Sequence, residues 1–86
     1  MGLEVVELVM AAEEHFAIQV DDEEAAKLVN CGLFCDYIIA KLRARGDSRT
    51  GDEVWSQLKA IIVEQLGVKP DDVRREAKFY EDLGCG

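Results

Sequence analysis

The spacing of apolar residues near the start of the chain limits most strongly what it can fold into. Between residues 3 and 16 they recur three or four positions apart, at Val5, Leu8, Val9, Ala12 and Phe16. This spacing puts them on one side of an α-helix, whereas a half-buried strand alternates apolar and polar residues. The pattern therefore predicts a helix over residues 3–16 that buries this side against the rest of the protein.

Two more helices are predicted in the first half of the chain. Asp21 and Asp22 are of a type that caps helices, and they predict a short helix over residues 23–27. A longer helix is predicted over residues 32–45, with Cys31 packing just before it. Three positions of this helix are expected to face inward: Cys35, Ile38 and Leu42. Two aromatic residues are expected at its edge: Phe34 and Tyr37.

The second half of the chain begins with a polar break and continues as a helix. Residues that favour turns interrupt the pattern between residues 43 and 53, and this segment is predicted to be a linker. A last long helix is predicted from residue 52 or 53 to Leu66, with Gly67 as its stop and Pro70 opening a short turn. Its inward face is expected to comprise Trp55, Leu58, Ile62 and Leu66, with Ile61 beside them. No useful stretch alternates as a strand does, so the predicted fold class is all-α.

Length and charge narrow the classes of function. The 86 residues carry a formal charge of −8, with 18 acidic against 10 basic side chains. Such a surface repels phosphate backbones and anionic lipids, so neither nucleic acid nor a membrane is expected as a partner, and basic protein patches are favoured. One small domain is expected from this length. No apolar stretch could span a bilayer, and three cysteines without a secretory signal predict a reducing, cytoplasmic location.

Several separated motifs resemble those of acyl carrier proteins when the second half of the sequence is read before the first. In that order they are Glu64-Gln65-Leu66-Gly67-Val68, Phe79-Tyr80-Glu81-Asp82-Leu83-Gly84 and Leu3-Glu4-Val5-Val6-Glu7-Leu8-Val9-Met10. Residues 54–84 are similar to the family's first helix and long loop, and residues 3–42 to its second, third and fourth helices. The resemblance implies a small four-helix bundle in circularly permuted order, with residues 43–53 joining the family's original termini.

The resemblance also bears on a cofactor. In this family a serine at the start of the second helix carries 4′-phosphopantetheine, and Gly2 occupies the matching position. Since glycine has no hydroxyl group, the resemblance implies no attachment there, and no cofactor is expected on the chain as it stands. Gly46-Asp47-Ser48 superficially resembles the attachment motif, but Arg49 follows where the family has leucine. Ser48 is therefore interpreted as a linker serine.

A partner-binding surface is implied by the same resemblance, because residues 3–16 match the family's recognition helix. Four acidic side chains would meet basic patches of carrier-dependent acyl-transfer enzymes: Glu4, Glu7, Glu13 and Glu14. Three apolar side chains would add contacts: Leu3, Val6 and Met10. Without the resemblance, such a run of glutamates is usually no more than a solvated helix face.

The remaining reactive residues point to packing rather than to chemistry. Cys31 and Cys35 are expected to fill the core as small hydrophobic residues. A zinc site would need more ligands, and His15 is the only histidine. Cys85 could form a disulfide-linked dimer, serve as a conjugation handle or be an inert loop residue. No residue set typical of hydrolytic or redox catalysis is present, so the chain is not expected to be an enzyme.

Two classes of function are left by these patterns. The first is an acyl-carrier-like domain of fatty-acid or polyketide biosynthesis that presents residues 3–16 to partner enzymes. The second is a protein-interaction domain or engineered scaffold that retains only the fold and carries nothing. Either could be a monomer, or a dimer in which two chains exchange helices across the linker.

Overall fold

The computed structural model describes residues 3–84, which form four α-helices and one short 3₁₀ turn. The helices are α1 (Leu3–Phe16), α2 (Asp22–Ala25), α3 (Cys31–Ala44) and α4 (Gly51–Leu66), and the 3₁₀ turn is Pro70–Asp72. Within this part of the chain the only strand-like pairing is an isolated bridge between Asn30 and Lys78. The all-α fold class and the small four-helix architecture are confirmed.

Helix α1 has the bounds that its apolar spacing predicts, and all five residues of the predicted stripe are buried. The helix ends at Phe16, and the φ of the next residue, Ala17, is 54°, in the left-handed region where glycine is usual. This conformation reverses the chain and lets the Ile18 amide donate to the Glu13 carbonyl at 3.1 Å. The end of α1 is therefore formed by backbone geometry rather than by a preferred residue type.

Helix α2 is shorter and starts earlier than predicted, since it covers Asp22–Ala25. Asp21 is its N-terminal cap residue, but neither Asp21 nor Asp22 makes the side-chain capping bond that the sequence suggested. After Ala25 the chain continues in tighter turns, with the Leu28 amide donating to the Ala25 carbonyl at 3.0 Å. A single turn with one buried residue has little to hold it, which explains why its bounds were wrong.

Helix α3 differs from prediction in which residues it buries. Cys35, Ile38 and Leu42 are buried as expected. Phe34 was predicted at the edge, but it is only 1% exposed and lies edge-to-face with Phe79 at a ring-centroid distance of 6.2 Å. That prediction was wrong because a segment far along the chain covers this side of the helix.

The connection between α3 and α4 is residues 45–50, which is shorter than the predicted linker. Thr50 and Glu53 form a reciprocal capping box: the Thr50 hydroxyl accepts from the Glu53 amide at 3.1 Å, and the Glu53 carboxylate accepts from the Thr50 amide at 3.3 Å. The box fixes the start of α4 at Gly51. Gly67, with a φ of 67°, ends the helix as predicted.

Helix α4 packs against both α1 and α3. Its buried residues are Val54, Leu58 and Ile62, whereas Trp55 and Leu66 are only half-buried. The buried face is therefore rotated toward Val54 from the predicted one. In the first half of α4, Gln57 Oε1 lies 3.1 Å from His15 Nε2 at the end of α1, and farther along α4 Gln65 lies beside Glu7 and Met10, so α1 and α4 run antiparallel.

The last described segment, residues 67–84, is called the docked loop because it packs along α3. The Cys31 amide donates to the Ala77 carbonyl at 3.0 Å, and the Gly32 amide donates to the Arg75 carbonyl at 2.7 Å. These bonds satisfy amides at the α3 N-terminus that no helical carbonyl can reach. The loop also contributes four buried apolar residues to the core: Val73, Ala77, Phe79 and Leu83.

Candidate partner-binding site

The face of α1 turned away from the core carries most of the residues expected to bind partners. Val6 is 36% exposed and Met10 is 55% exposed, although both are apolar. Glu4, Glu7 and Glu14 are exposed as well. Leu3 begins α1, but its side chain lies outside the described part of the structure. A helix face that mixes exposed apolar and acidic side chains is suited to a basic protein surface with an apolar centre.

Glu13 differs from the other acidic residues of α1. Its carboxylate Oε2 accepts a hydrogen bond from the Val20 amide at 2.9 Å, and the side chain is half-buried. A carboxylate held in this way positions the segment that follows α1. It has less freedom than Glu7 or Glu14 to turn toward a partner.

A shallow groove runs between α1 and α4 beside the exposed acidic residues. Its volume is about 220 Å³, and it is lined by Glu7, Met10, Ala11, Glu14 and Gln65. Gln65 belongs to α4, and its position in the sequence did not connect it with this surface. No local pattern could have done so, because the contact depends on how the two helices pack.

A second cavity lies between α1, the region of α2 and the docked loop. Its volume is about 150 Å³, and it joins Val5 of α1 to Phe79 and Tyr80 of the docked loop. The rest of its lining is apolar and comes from α2 and the residues after it: Ala25, Ala26, Leu28 and Val29. The segment after Pro70 thus reaches the first turns of α1, although the two are at opposite ends of the sequence.

The residues that bear on attachment of the cofactor either lie apart from one another or lie outside the described chain. Gly2 and Cys85 are outside the described residues. Ser48 is exposed in the connection. The connection lies at the other end of α1, because the Arg45 Nη1 atom donates to the Ala17 carbonyl at 2.6 Å.

The hydroxyl of Tyr37 on α3 is influenced by three carboxylates. This hydroxyl is buried, and no group within the described chain meets hydrogen-bond geometry with it. Burial is the main reason that the pKa of Tyr37 rises to about 12, and Glu24, Asp21 and Glu13 add to the increase. The phenol therefore stays neutral at physiological pH.

The cysteines of α3 have the buried positions that packing predicts. Cys31 and Cys35 are both buried. Burial raises the pKa of the Cys35 thiol, and the nearby Arg75 only partly opposes this effect. Between residues 3 and 84 no group of three or more His, Cys, Asp or Glu side chains is placed to hold a metal ion. A buried, protonated thiol is a poor nucleophile.

In the described part of the chain, every helix is too short or too polar to cross a bilayer.

Comparison with known proteins finds a partial similarity. A 32-residue stretch, 37% of this chain, is 48% identical to the acyl carrier protein of Wolinella succinogenes and spans 42% of that protein. The chain thus matches less than half the length of this relative. No protein-family profile matches the chain, and no solved structure matches it. The partial similarity and the four-helix fold together support a relationship to the acyl carrier protein family.

Proposed function

We propose that this chain is an acyl-carrier-like domain of fatty-acid or polyketide biosynthesis, with its helices in circularly permuted order. It is a non-catalytic, cytoplasmic domain that presents the outward face of α1 to enzymes with basic patches. In this proposal α4 and the docked loop correspond to the family's first helix and long loop. Helices α1, α2 and α3 correspond to the second, third and fourth.

The observation that carries the proposal is the meeting of Val5 with Phe79 and Tyr80 around one cavity. If the family order were restored, the docked loop would continue directly into α1. The lining of this cavity is what such a continuation requires, because it brings the loop's last part to the first turns of α1. The similarity to an acyl carrier protein supports the same interpretation.

The charge on α1 supports weak, salt-sensitive docking rather than tight binding. Exposed ion pairs contribute about 0.2–1 kcal/mol each. Three exposed glutamates, Glu4, Glu7 and Glu14, would accordingly speed encounter with a basic enzyme more than they would hold it. Val6 and Met10 would supply the apolar part of the contact.

The residues present do not fit covalent attachment of 4′-phosphopantetheine at the family's position. The chain has three serine and threonine residues in all, namely Ser48, Thr50 and Ser56. Each lies in the connection or in the first half of α4, at the end of α1 opposite its start. We therefore propose that the domain has the carrier fold and the docking surface, and that the unaltered chain bears no prosthetic group.

Restoring the hydroxyl tests this proposal. The unaltered chain and Gly2→Ser are incubated with coenzyme A and a phosphopantetheinyl transferase, and intact masses are compared with and without reductant. Gly2→Ser is expected to gain one phosphopantetheine that survives reductant, while the unaltered chain gains none. A folded Gly2→Ser that stays unmodified would contradict the proposal. Mass that reductant removes would indicate a mixed disulfide on cysteine.

The docking surface is tested in the Gly2→Ser background. Reversing two charges, Glu7→Lys with Glu14→Lys, is expected to slow modification at low salt without changing the helical circular dichroism signal. The matched control reverses two exposed charges elsewhere, Glu64→Lys with Asp71→Lys. Equal slowing by both pairs would show that net charge, rather than the α1 surface, governs the reaction.

A further inference from the structure

The connection between α3 and α4 concentrates positive charge in a chain whose formal charge is −8. Three arginines lie close together in the sequence there: Arg43, Arg45 and Arg49. Ser48 stands among them and is exposed. Within the described chain its hydroxyl makes no hydrogen bond. Ser48 is thus an accessible hydroxyl group in cationic surroundings.

The other two aliphatic hydroxyls of the chain differ from Ser48 in their surroundings. The Thr50 hydroxyl is engaged in the capping box with Glu53. Ser56 is exposed, but it lies inside α4, and Glu53 stands three residues before it. Enzymes that modify hydroxyl groups select substrates partly by the charges that precede the acceptor. Ser48 has arginines in that position, whereas Ser56 has an acidic residue.

Arg43 is placed to hold an anion on Ser48. Its Nη1 atom donates to the carbonyl oxygens of Asp47 at 3.4 Å and of Arg49 at 2.5 Å, which are the residues on either side of Ser48. Within the described chain Arg43 makes no ion pair, whereas two other arginines share the Asp47 carboxylate. The Arg43 guanidinium therefore lies beside the Ser48 backbone, has no carboxylate partner in the described chain and has N–H donors to spare.

We propose that Ser48 is a phosphorylation site for a protein kinase that reads arginines before the acceptor, and that Arg43 holds the resulting phosphate. The Ser48 Oγ atom attacks the γ-phosphorus of a nucleoside triphosphate, forming an Oγ–P bond. The bond from that phosphorus to the bridging oxygen breaks, the nucleoside diphosphate leaves, and the hydroxyl proton passes to the base of the kinase. Because the contacts of the connection lie near the surface, it can open locally to enter the kinase.

The phosphate would change what the arginines of the connection bind. Phosphoserine carries about −1.5 to −2 charges at pH 7 and three strong acceptor oxygens. It can therefore pair with Arg43, where the neutral hydroxyl of Ser48 makes no bond. This goes beyond the proposed function, since it adds a regulatory site at the end of α1 opposite its start.

The first test is phosphorylation of the folded chain by a purified kinase that selects serine with arginine three and five residues before it. Masses of the intact chain and of its fragments are expected to place a single phosphoryl group on Ser48, and Ser48→Ala should gain none. Equal modification of Ser48 and Ser56 would overturn the proposal. So would modification of a peptide of residues 43–53 under conditions in which the folded chain is not modified.

The second test asks whether Arg43 holds the phosphate. Phosphorus NMR follows the loss of the second phosphate proton in the phosphorylated chain and in the phosphorylated peptide of residues 43–53. A guanidinium group at a fixed position favours the dianion, so this proton should dissociate roughly three- to ten-fold more readily in the folded chain. Arg43→Gln should remove most of the difference, whereas Lys69→Gln, at an exposed position elsewhere, should preserve it. Equal dissociation in chain and peptide would overturn the role of Arg43.

Neither test involves a prosthetic group or a carrier-dependent enzyme. A chain that fails both tests therefore leaves the proposed function untouched. Conversely, a failure of Gly2→Ser to be modified would leave the result at Ser48 standing.

Discussion

The two ends of the helical bundle are held by different kinds of interaction. At the end where α1 and α3 finish and α4 begins, charged side chains organise the connection. At the opposite end, where α1 and α3 begin, the docked loop is held by backbone hydrogen bonds and aromatic packing. Within one small fold, the first end thus depends mainly on charged side chains near the surface, and the second depends mainly on buried packing.

At the connection, Asp47 is the centre of a partly exposed network of charged side chains. Its Oδ1 atom accepts from the Arg49 amide at 2.9 Å, and its Oδ2 atom lies 3.4 Å from Arg45 Nη2. Arg43 Nη1 donates to the Arg49 carbonyl at 2.5 Å. These contacts fold six residues into a tight reversal, but they lie near the surface, where salt weakens them.

At the docked loop, the main contacts are protected from water. The α3 amides of Cys31 and Gly32 donate to loop carbonyls, and Phe79 is packed against Phe34. Two exposed ion pairs lie at the loop's surface, Arg75–Asp36 at 2.7 Å and Lys78–Glu81 at 3.4 Å. Buried packing of this kind depends little on ionic strength, so it can hold the loop against α1 and α3 without a covalent link between them.

The largest expected effect comes from removing the aromatic ring that anchors the docked loop. Phe79→Ala deletes a buried ring and should lower the free energy of unfolding by about 3–5 kcal/mol. Chemical denaturation measures this loss of unfolding free energy, and the loss should be the same at low and at high salt. Tyr80→Ala is the control, because Tyr80 is 43% exposed. A loss from Phe79→Ala no larger than that of the control would mean that packing does not anchor the loop.

The next effect tests the close approach of the loop backbone to α3. A Cβ atom at Gly32 would lie 2.9 Å from the Arg75 carbonyl oxygen. Gly32→Ala should therefore destabilise the fold by about 1–3 kcal/mol, although alanine favours helices. At Gly51 the added atom would meet only Ile39 Cδ1 at 3.7 Å, so Gly51→Ala should be neutral or stabilising in the same denaturation experiment. Equal effects at both glycines would contradict the close approach.

At the connection, the expected effect is smaller and depends on salt. Asp47→Asn keeps an acceptor for the Arg49 amide but removes the charge, so the thermal midpoint should fall at low salt. The difference should shrink near 1 M salt, where the Debye length is about 3 Å. Glu64→Gln, at an exposed site outside the ion pairs of the described chain, controls for net charge. A difference that is unchanged by salt would mean that ion pairs do not organise the connection.

The same network predicts a dependence on pH. The hydrogen bond from the Arg49 amide, with help from Arg45 and against partial burial, lowers the pKa of Asp47. Its stabilisation is therefore present above the ordinary aspartate value of about 3.9 and is lost as the pH falls through the lower folded value. Thermal midpoints of the unaltered chain and Asp47→Asn should accordingly converge in strong acid. Parallel curves would contradict this assignment.

The smallest expected effect is a gain in stability at Ala17, beside the connection, and it tests the backbone conformation there. Ala17 has a φ of 54°, where a Cβ atom is strained. Ala17→Gly should raise the free energy of unfolding by about 0.5–1 kcal/mol, despite the greater freedom of glycine in the unfolded chain. Ala60→Gly, in the exposed interior of α4, should instead cost about 1 kcal/mol in the same denaturation experiment. Destabilisation by both changes would argue against the left-handed conformation.

Much of the fold could be predicted because helix formation depends on neighbours in sequence. The bounds of α1, its buried stripe and the stop at Gly67 all follow from periodicity and residue type. The outward position of Val6, Met10 and the exposed glutamates follows from the same periodicity. Their role in binding partners stays a prediction.

The errors lie where distant segments meet. Phe34 is buried because Phe79 covers it, and Gln65 reaches the α1 surface because α4 runs antiparallel to α1. Neither contact leaves a local signal in the sequence. The bounds of α2 were missed for a different reason, since one turn of helix is stabilised mainly by its surroundings.

The sequence by itself determined the helical class, the main helices and the side of α1 that faces the core, because these depend on spacing within a few turns. Only the tertiary structure decided that loop carbonyls satisfy the α3 N-terminus, and that Val5, Phe79 and Tyr80 share one cavity. The physical reason is that these features arise when packing brings distant segments together. Burial and hydrogen bonding then act between residues whose order along the chain says nothing about their distance.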